Sequence, residues 1–456
     1  VYYKDPASKK WSENDTLILV DDVLFLVEAK AGAAATIASP ALDFGRHAQS
    51  VQDLVLKAYK QCERFFNYLN SADEVPLYHL ADGKYEECGR IRRSNYRVMV
   101  PIGLTVESFS PFSAYCKELP QIEPLLGKHA FVSLSIDDLF VLKRFLPTPG
   151  EFVHYMEVRQ AVAGKRHAHL FDEFDHLGAY IKKNRFDQNI ADQLKRGKVN
   201  MLLWHGMSDI VDKSFESQDW ESRPFPTQDF PEEVRKLLEA LDASRARGWL
   251  SAESHIRDLG GENRSNLAKM LFDLRQTLTQ HPARYFLVSE GSEPIFVWLQ
   301  LHDHQINWTK ANDKAGAAAL SVKASNIIGI VAEVSTDGTY HQVQSFKVQI
   351  PTERTEENAH IYEDAERMAQ SMRTVNLNQP KNDIPPLKIK KKAGRNDQCP
   401  CGSWAKFKNC SGRERYFGGL EGWVRGLFDV RTLEGAKGRF GPISANHDRQ
   451  ESAQAV

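Results

Sequence analysis

Apolar and polar positions divide the chain into short β-like runs and longer segments of helical period. Leu17 to Val20 and Val23 to Val27 are apolar runs separated by Asp21-Asp22, which predicts a hairpin over residues 15–30. In residues 50–69 the positions Val51, Leu54, Val55, Ala58, Cys62, Phe65, Phe66 and Leu69 recur at helical spacing, and Lys57 and Gln61 border that stripe. Strands are expected near 98–106 and 130–135, each before a helical stretch, and 151–183 reads as helical after the Pro147-Thr148-Pro149-Gly150 turn. This alternation predicts an α/β unit with a mixed sheet over residues 1–188. From 189 to 350 an α+β domain is expected, with helices at 232–245 and 264–278 and β-like runs at 283–289, 295–301, 317–323, 327–334 and 343–350. Residues 351–393 read as a charged helix and basic linker, 394–412 as a cysteine-bearing module and 413–456 as an irregular tail.

Charge narrows the choice of partners. Lys plus Arg (59) nearly cancels Asp plus Glu (60), so there is no global positive field and any nucleic-acid binding must come from local patches. The run Lys388, Lys390, Lys391, Lys392 and Arg395 is such a patch, and reads equally well as a solvated linker. No apolar run approaches the ~20 residues that span a bilayer, so no membrane insertion is expected. Six cysteines are few for 456 residues, and three fall within 399–410; this suits a reducing, cytoplasmic setting and a metal site better than a disulfide framework. The chain starts at Val1 with no visible leader, and part of the first domain is expected to be missing before it.

The hairpin carries the candidate chemistry. With Val20 opposite Val23, paired positions sum to 43, and Asp15 falls opposite Glu28. Alternation then puts Asp15, Leu17 and Leu19 on one face with Leu24, Leu26, Glu28 and Lys30. Opposed Cβ atoms lie roughly 4.5–5.5 Å apart, close enough for two carboxylates to share a divalent ion. Both faces are otherwise apolar, which predicts a hairpin buried within a layered core. Charges there are costly unless they serve a partner such as Mg²⁺ or Mn²⁺ with oxygen ligands. Lys30 would then orient or deprotonate the attacking water, or neutralise charge developing on phosphorus. The plain alternatives are an ion pair at a hairpin end and, for Gln61, a solvated helix residue.

Glu13-Asn14-Asp15, the apolar strand, the turn, Glu28-Ala29-Lys30-Ala31-Gly32 and the helix with Lys60-Gln61 together resemble the core of the PD-(D/E)xK nuclease superfamily. The likeness covers residues 10–70, and extends more loosely to 188 toward restriction-endonuclease-like and nuclease-related-domain proteins. It implies a restriction-endonuclease-like mixed sheet with flanking helices and Mg²⁺-dependent hydrolysis of DNA phosphodiesters. In it Asp15 and Glu28 would be metal ligands, Lys30 the catalytic lysine and Gln61 a supporting residue. The chain departs from the family at Asn14, where proline is usual. It departs also in having only Val1 to Ser12 before the site, where the family has an earlier helix and strand; a truncated domain is expected to be inactive.

Cys399-Pro400-Cys401-Gly402 and, with eight residues intervening after Cys401, Cys410 can bring three thiolates toward a tetrahedral Zn²⁺. The segment resembles the SEC-C motif, which implies a zinc knuckle that docks a protein partner. That family closes its pattern with Cys-Cys or Cys-His, whereas here Ser411 follows Cys410. Water, a distant side chain such as His447, or a partner is left to supply the fourth ligand. His154, His167 and His169 match no metal spacing, and the helix pair around Gly260-Gly261 reads more simply as a helix pair than as a winged helix. The competing class for the whole chain is a catalytically inactive nuclease-like protein that binds protein or nucleic acid through the knuckle.

Overall fold

The computed structural model describes residues 1–31, 44–106, 112–197, 201–216, 218–288 and 293–371. Cys399, Cys401 and Cys410, the basic run and the tail lie outside the described residues. Residues 1–37 with 49–376 form one compact unit, and 38–48 with 377–456 group separately.

The first half opens with β1 (Tyr2–Lys4), β2 (Trp11–Glu13), β3 (Thr16–Val20), β4 (Val23–Lys30) and α1 (Phe44–Leu69). There follow β5 (Val75–Ala81), β6 (Lys84–Ile91), β7 (Val98–Thr105), α2 (Phe112–Tyr115), β8 (Val132–Ser135), α3 (Ile136–Phe145) and α4 (Pro149–Ala163). Then come β9 (Ala168–Leu170), α5 (Glu173–Lys182), α6 (Phe186–Gly197), β10 (Leu202–Trp204) and α7 (Asp209–Phe215). The second half contains α8 (Glu232–Ser244), α9 (Trp249–Asp258), α10 (Gly261–Arg275), β11 (Ala283–Val288) and β12 (Ile295–Leu301). It ends with α11 (Trp308–Ser321), β13 (Ile328–Val334), β14 (Tyr340–Lys347) and α12 (Ala359–Ser371). The protein is of mixed α/β class.

The central sheet has the order β3-β4-β7-β8, antiparallel at β3/β4 and parallel at β4/β7 and β7/β8. The hairpin pairs Thr16 with Val27 and Val20 with Val23, the register in which positions sum to 43. On one face Val23, Phe25, Val100, Ile102 and Leu134 join a core with Tyr155 and Met156 of α4, and that core runs on to Trp249 and Leu250. The other face lies beneath α1, whose buried residues include Val51, Val55, Ala58, Cys62, Phe65 and Phe66. Gly103 marks how closely α1 approaches: a Cβ there would stand 3.1 Å from the Ala58 Cβ and 2.5 Å from the Phe131 ring. The expectation of a hairpin buried on both sides needs correction, because β3 is an edge strand with Ile18 and Leu19 exposed, and β4 alone lies inside.

A second antiparallel sheet, β2-β1-β5-β6, rests on α1 through Tyr3, whose ring meets Phe65 and Tyr68 at 5.3 and 4.9 Å. The sequence does not announce β5 and β6, since β6 is largely polar and exposed and so has no apolar alternation. The 151–183 stretch is two helices rather than one. α4 stops at the Gly164 cap, His167 takes φ +66°, and β9 pairs parallel with β10 before Asp172 caps α5. The β-like run at 317–323 is instead the end of α11. There Ala311, Ala315, Ala318 and Ala319 pack with Phe296, Trp298 and Val331, small residues of high helix propensity that let a helix lie close to a sheet. That sheet, β11-β12-β13-β14, is covered on its other face by α8, α9 and α10.

The hairpin turn is tied to the distant α9. Asp21 takes φ +50°, a conformation Asp tolerates better than most residues, and its carboxylate accepts from the Gly248 and Leu250 amides at 2.7 and 3.0 Å. These amides belong to the N-terminal end of α9, so Asp21 caps a helix more than two hundred residues away. Asp22 pairs with Arg97 at 2.8 Å, Arg97 grips Glu157 with two bonds of 2.9 and 3.0 Å, and Glu157 accepts from Ser254 on α9. Asp21→Ala is expected to lower stability by about 1–2 kcal/mol, the range for a lost helix cap. Urea denaturation checks this, and an unchanged midpoint would show that the turn needs no such tie.

Candidate active site

Asp15 immediately precedes β3, and Glu28 and Lys30 lie at the end of β4. The hairpin register therefore brings the three together although the sequence separates them. The Asp15 carboxylate accepts the Ala29 amide at 2.8 Å, which carries the β3/β4 pairing one step beyond the ladder. The Lys30 ammonium lies 3.4 Å from Asp15 Oδ2, 3.4 Å from Glu28 Oε2 and 3.0 Å from the Ala29 carbonyl. It thus stands between two carboxylates at the long end of hydrogen-bonding distance.

The two acids differ in surroundings. Asp15 has 38% of its side chain exposed and forms the mouth of the site, whereas Glu28 is fully buried at its floor. Glu28 sits opposite Gly103 in the parallel β4/β7 pair, so it shares the face beneath α1. Burial pushes its carboxyl up to about 7; the Asp15 charge adds to the rise and Lys30 opposes it. Cys62 on α1 is also fully buried, and its thiol is held well above its usual value by burial first and by the Glu28 charge second.

Glu28 Oε1 is buried without a hydrogen-bond partner, as are Nδ2 and Oδ1 of the neighbouring Asn14, which is 1% exposed. An unsatisfied buried polar atom costs about 1–3 kcal/mol, more if it is charged. A hard divalent cation suits this donor set, since it would take carboxylate oxygens and relieve the orphaned Oε1. Among the described residues no group of three or more His, Cys, Asp and Glu side chains converges. A cation held by Asp15 and Glu28 would therefore draw its remaining ligands from water and substrate, as Mg²⁺ commonly does.

Gln61 is half-buried on α1, and among the described residues it makes no hydrogen bond to Asp15, Glu28 or Lys30. Two contributors were not legible as such in the sequence. The Ala29 amide acts through its backbone, and Asn14 stands out only once its burial is known. His154 and His169 are buried with a ring nitrogen 2.9 Å from Asp258 Oδ1 and 3.2 Å from Glu118 Oε1, respectively, and among the described residues neither is grouped with further metal-ligating side chains.

No family model and no solved structure matches the chain. Short stretches are similar to curated SecA protein translocase subunits. One from Clostridium botulinum (strain Eklund 17B / Type B) is 50% identical over 48 residues, which is 10% of this chain and 6% of that protein. Another, from Trichlorobacter lovleyi, is 38% identical over 68 residues, 15% of this chain and 8% of that protein. A third, from Clostridium tetani, is 66% identical over 29 residues, 6% and 4% of the two chains. The matches thus span between 4% and 8% of these relatives' length.

Because the Glu28 carboxyl is raised, the folded protein binds that proton more tightly than the unfolded chain does. Its ionisation therefore costs stability progressively as pH rises from about 4.5 to about 7, and the full cost stays above that. Glu28→Gln is expected to be more stable than the parent at pH 8 without divalent ions, by on the order of 3 kcal/mol, and to lose that advantage below pH ~4.5. Urea denaturation at both pH values is the check; equal midpoints at pH 8 would show that Glu28 is not a strained buried acid.

Proposed function

We propose that the protein is a metal-dependent nuclease of the PD-(D/E)xK type that hydrolyses DNA phosphodiester bonds. The observation that carries this reading is the convergence of Asp15, Glu28 and Lys30 at one end of β4, with a buried carboxylate oxygen left unpartnered. A mixed four-stranded sheet between α1 and the α4 layer supports a restriction-endonuclease-like core.

In this reading Asp15 and Glu28 hold Mg²⁺ or Mn²⁺, which supplies charge neutralisation at the phosphate and a water of lowered pKa. Glu28, fixed by the central strand and covered by α1, has an unpartnered carboxylate oxygen that would be available to such an ion. Asp15 is held from behind by the Ala29 amide, which orients it while leaving it open to solvent and substrate. Lys30 lies between both acids and can donate to the attacking water or to the phosphoryl oxygens as negative charge develops there. Gln61 borders the same helix face and supports the site from α1. The short likeness to SecA subunits is in keeping with a small SEC-C module, so we assign Cys399, Cys401 and Cys410 to a Zn²⁺ knuckle that docks a protein partner.

Plasmid DNA incubated with Mg²⁺ is expected to be cleaved by the full-length protein, with Asp15→Ala and Lys30→Ala each reducing the rate by about 100-fold or more while far-UV circular dichroism stays unchanged. Cleavage undiminished in both variants sinks the assignment. No cleavage by the parent, with retained binding to partners, favours a nuclease-like binding protein.

A further inference from the structure

The sheet that leads into the site has one buried and one open face. Tyr3 turns inward onto α1, while Tyr2 and Trp11 lie on the opposite side. Register places Tyr78 opposite Tyr2 and Lys4 opposite Trp11. On this open face the Trp11 and Tyr85 rings stack with centroids 3.8 Å apart and planes at 17°, Tyr78 meets Trp11 edge-on at 4.9 Å, and Tyr2 meets Tyr85 at 5.4 Å. Trp11 keeps 38% of its surface exposed and Leu80 keeps 48%. Four aromatic side chains on the outer face of a small sheet form a surface that a planar, apolar ligand can cover.

Charge on the same surface favours an anionic ligand. Of its acids Glu87 is neutralised by two bonds to Arg90, while Glu13, which accepts from Tyr2, and Asp5, which accepts from Ala7 and Ser8, keep their charge and are outnumbered by three lysines. Lys4, Lys9 and Lys10, which flank Trp11, are all exposed, and among the described residues no carboxylate pairs with them. The exposed Trp11 ring, with half-buried Tyr2, Tyr78 and Tyr85 around it and unpaired lysines beside it, matches the two demands of a single nucleic-acid strand, base stacking and phosphate neutralisation, whereas a duplex hides its base faces.

We infer that the Tyr2, Trp11, Tyr78 and Tyr85 face with Lys4, Lys9 and Lys10 binds single-stranded nucleic acid and delivers it to the Asp15 site. The inference rests on the nuclease reading only in calling this strand the substrate. Trp11 and Asp15 are four positions apart, a span of at most ~14 Å along the chain. A strand stacked on Trp11 therefore reaches the carboxylates within a few nucleotides. Tyr3 anchors the platform on α1, the same helix that covers Glu28, so platform and site share one support.

Fluorescence anisotropy of the full chain in EDTA, with labelled oligodeoxyuridine and oligouridine of ~15 nucleotides and a duplex of equal length, tests this. Tighter binding of a single strand than of the duplex is expected, and the stronger of the two single strands identifies the sugar. Trp11→Ala is expected to weaken binding about tenfold, the loss of one stacked base. The double variant Lys9→Ala/Lys10→Ala, which alters only exposed side chains, should reduce the slope of log K against log salt by about 1.4. Duplex binding as tight as single-strand binding, or unchanged binding in both variants, overturns the inference. So does absence of binding to every oligonucleotide, which would leave the aromatic face to a protein partner. Cleavage is read separately with Mg²⁺. Duplex cleavage without strand binding removes this inference alone, and strand binding without Asp15-dependent cleavage removes the nuclease reading alone.

Discussion

The register between β4 and β7 is the constraint on which the rest depends. It sets Glu28 beside Gly103, and the missing side chain at Gly103 lets Phe131 and Ala58 come within what would otherwise be overlap distance. α1 can then settle on the sheet and close over Glu28, which turns an ordinary glutamate into a buried acid with a raised pKa. A side chain at position 103 would overlap the Phe131 ring and press on Ala58 of α1, so the close seat of the helix over Glu28 depends on glycine there. The character of Glu28 is thus a product of helix packing over the neighbouring strand on the same face of the sheet.

The hairpin is held at both ends by different means. At the Asp15 end the grip is local, an amide and an ammonium from the next strand. At the turn it is remote, through Asp21 on α9 and through Asp22, Arg97 and Glu157 to Ser254 on the same helix. α9 also contributes Trp249 and Leu250 to the first core and Ile256 to the second. It is therefore the element through which the two sheets brace one another. Since β3 is an edge strand with little cover of its own, this distant tie supplies order that local burial does not.

Much of the hairpin was legible in the sequence because strands have a period of two and a two-residue turn leaves one register open. Once Val20 faces Val23, the meeting of Asp15, Glu28 and Lys30 follows. The helical stripe from Val51 to Leu69 was equally plain, since a long segment with one apolar face has few alternatives. Polar β6 gave no such sign, and β5, broken by Pro76 and His79, shows no clean alternation, because an open sheet face carries charge and aromatic residues in no fixed order. The alanines of α11 looked like a strand because small apolar residues at 317–320 fit either period over a short window. Gly164, inside an otherwise helical stretch, ended α4 and let β9 form.

Residue types and spacing alone determined that two carboxylates and a lysine would share one end of a hairpin, because strand pairing is a short-range rule that needs only the turn. Tertiary structure decided everything that separates those groups in character. Asp15 lies open and Glu28 buried because one strand is at the edge and the other beneath a helix. Gln61 borders the helix without bonding to the acids, and Asn14 is buried with its amide unpartnered. Only the fold brought Trp11 and Tyr85 into a stack and left three lysines beside it unpaired. The physical reason is that burial and electrostatic surroundings come from elements distant in the chain, which no local pattern encodes.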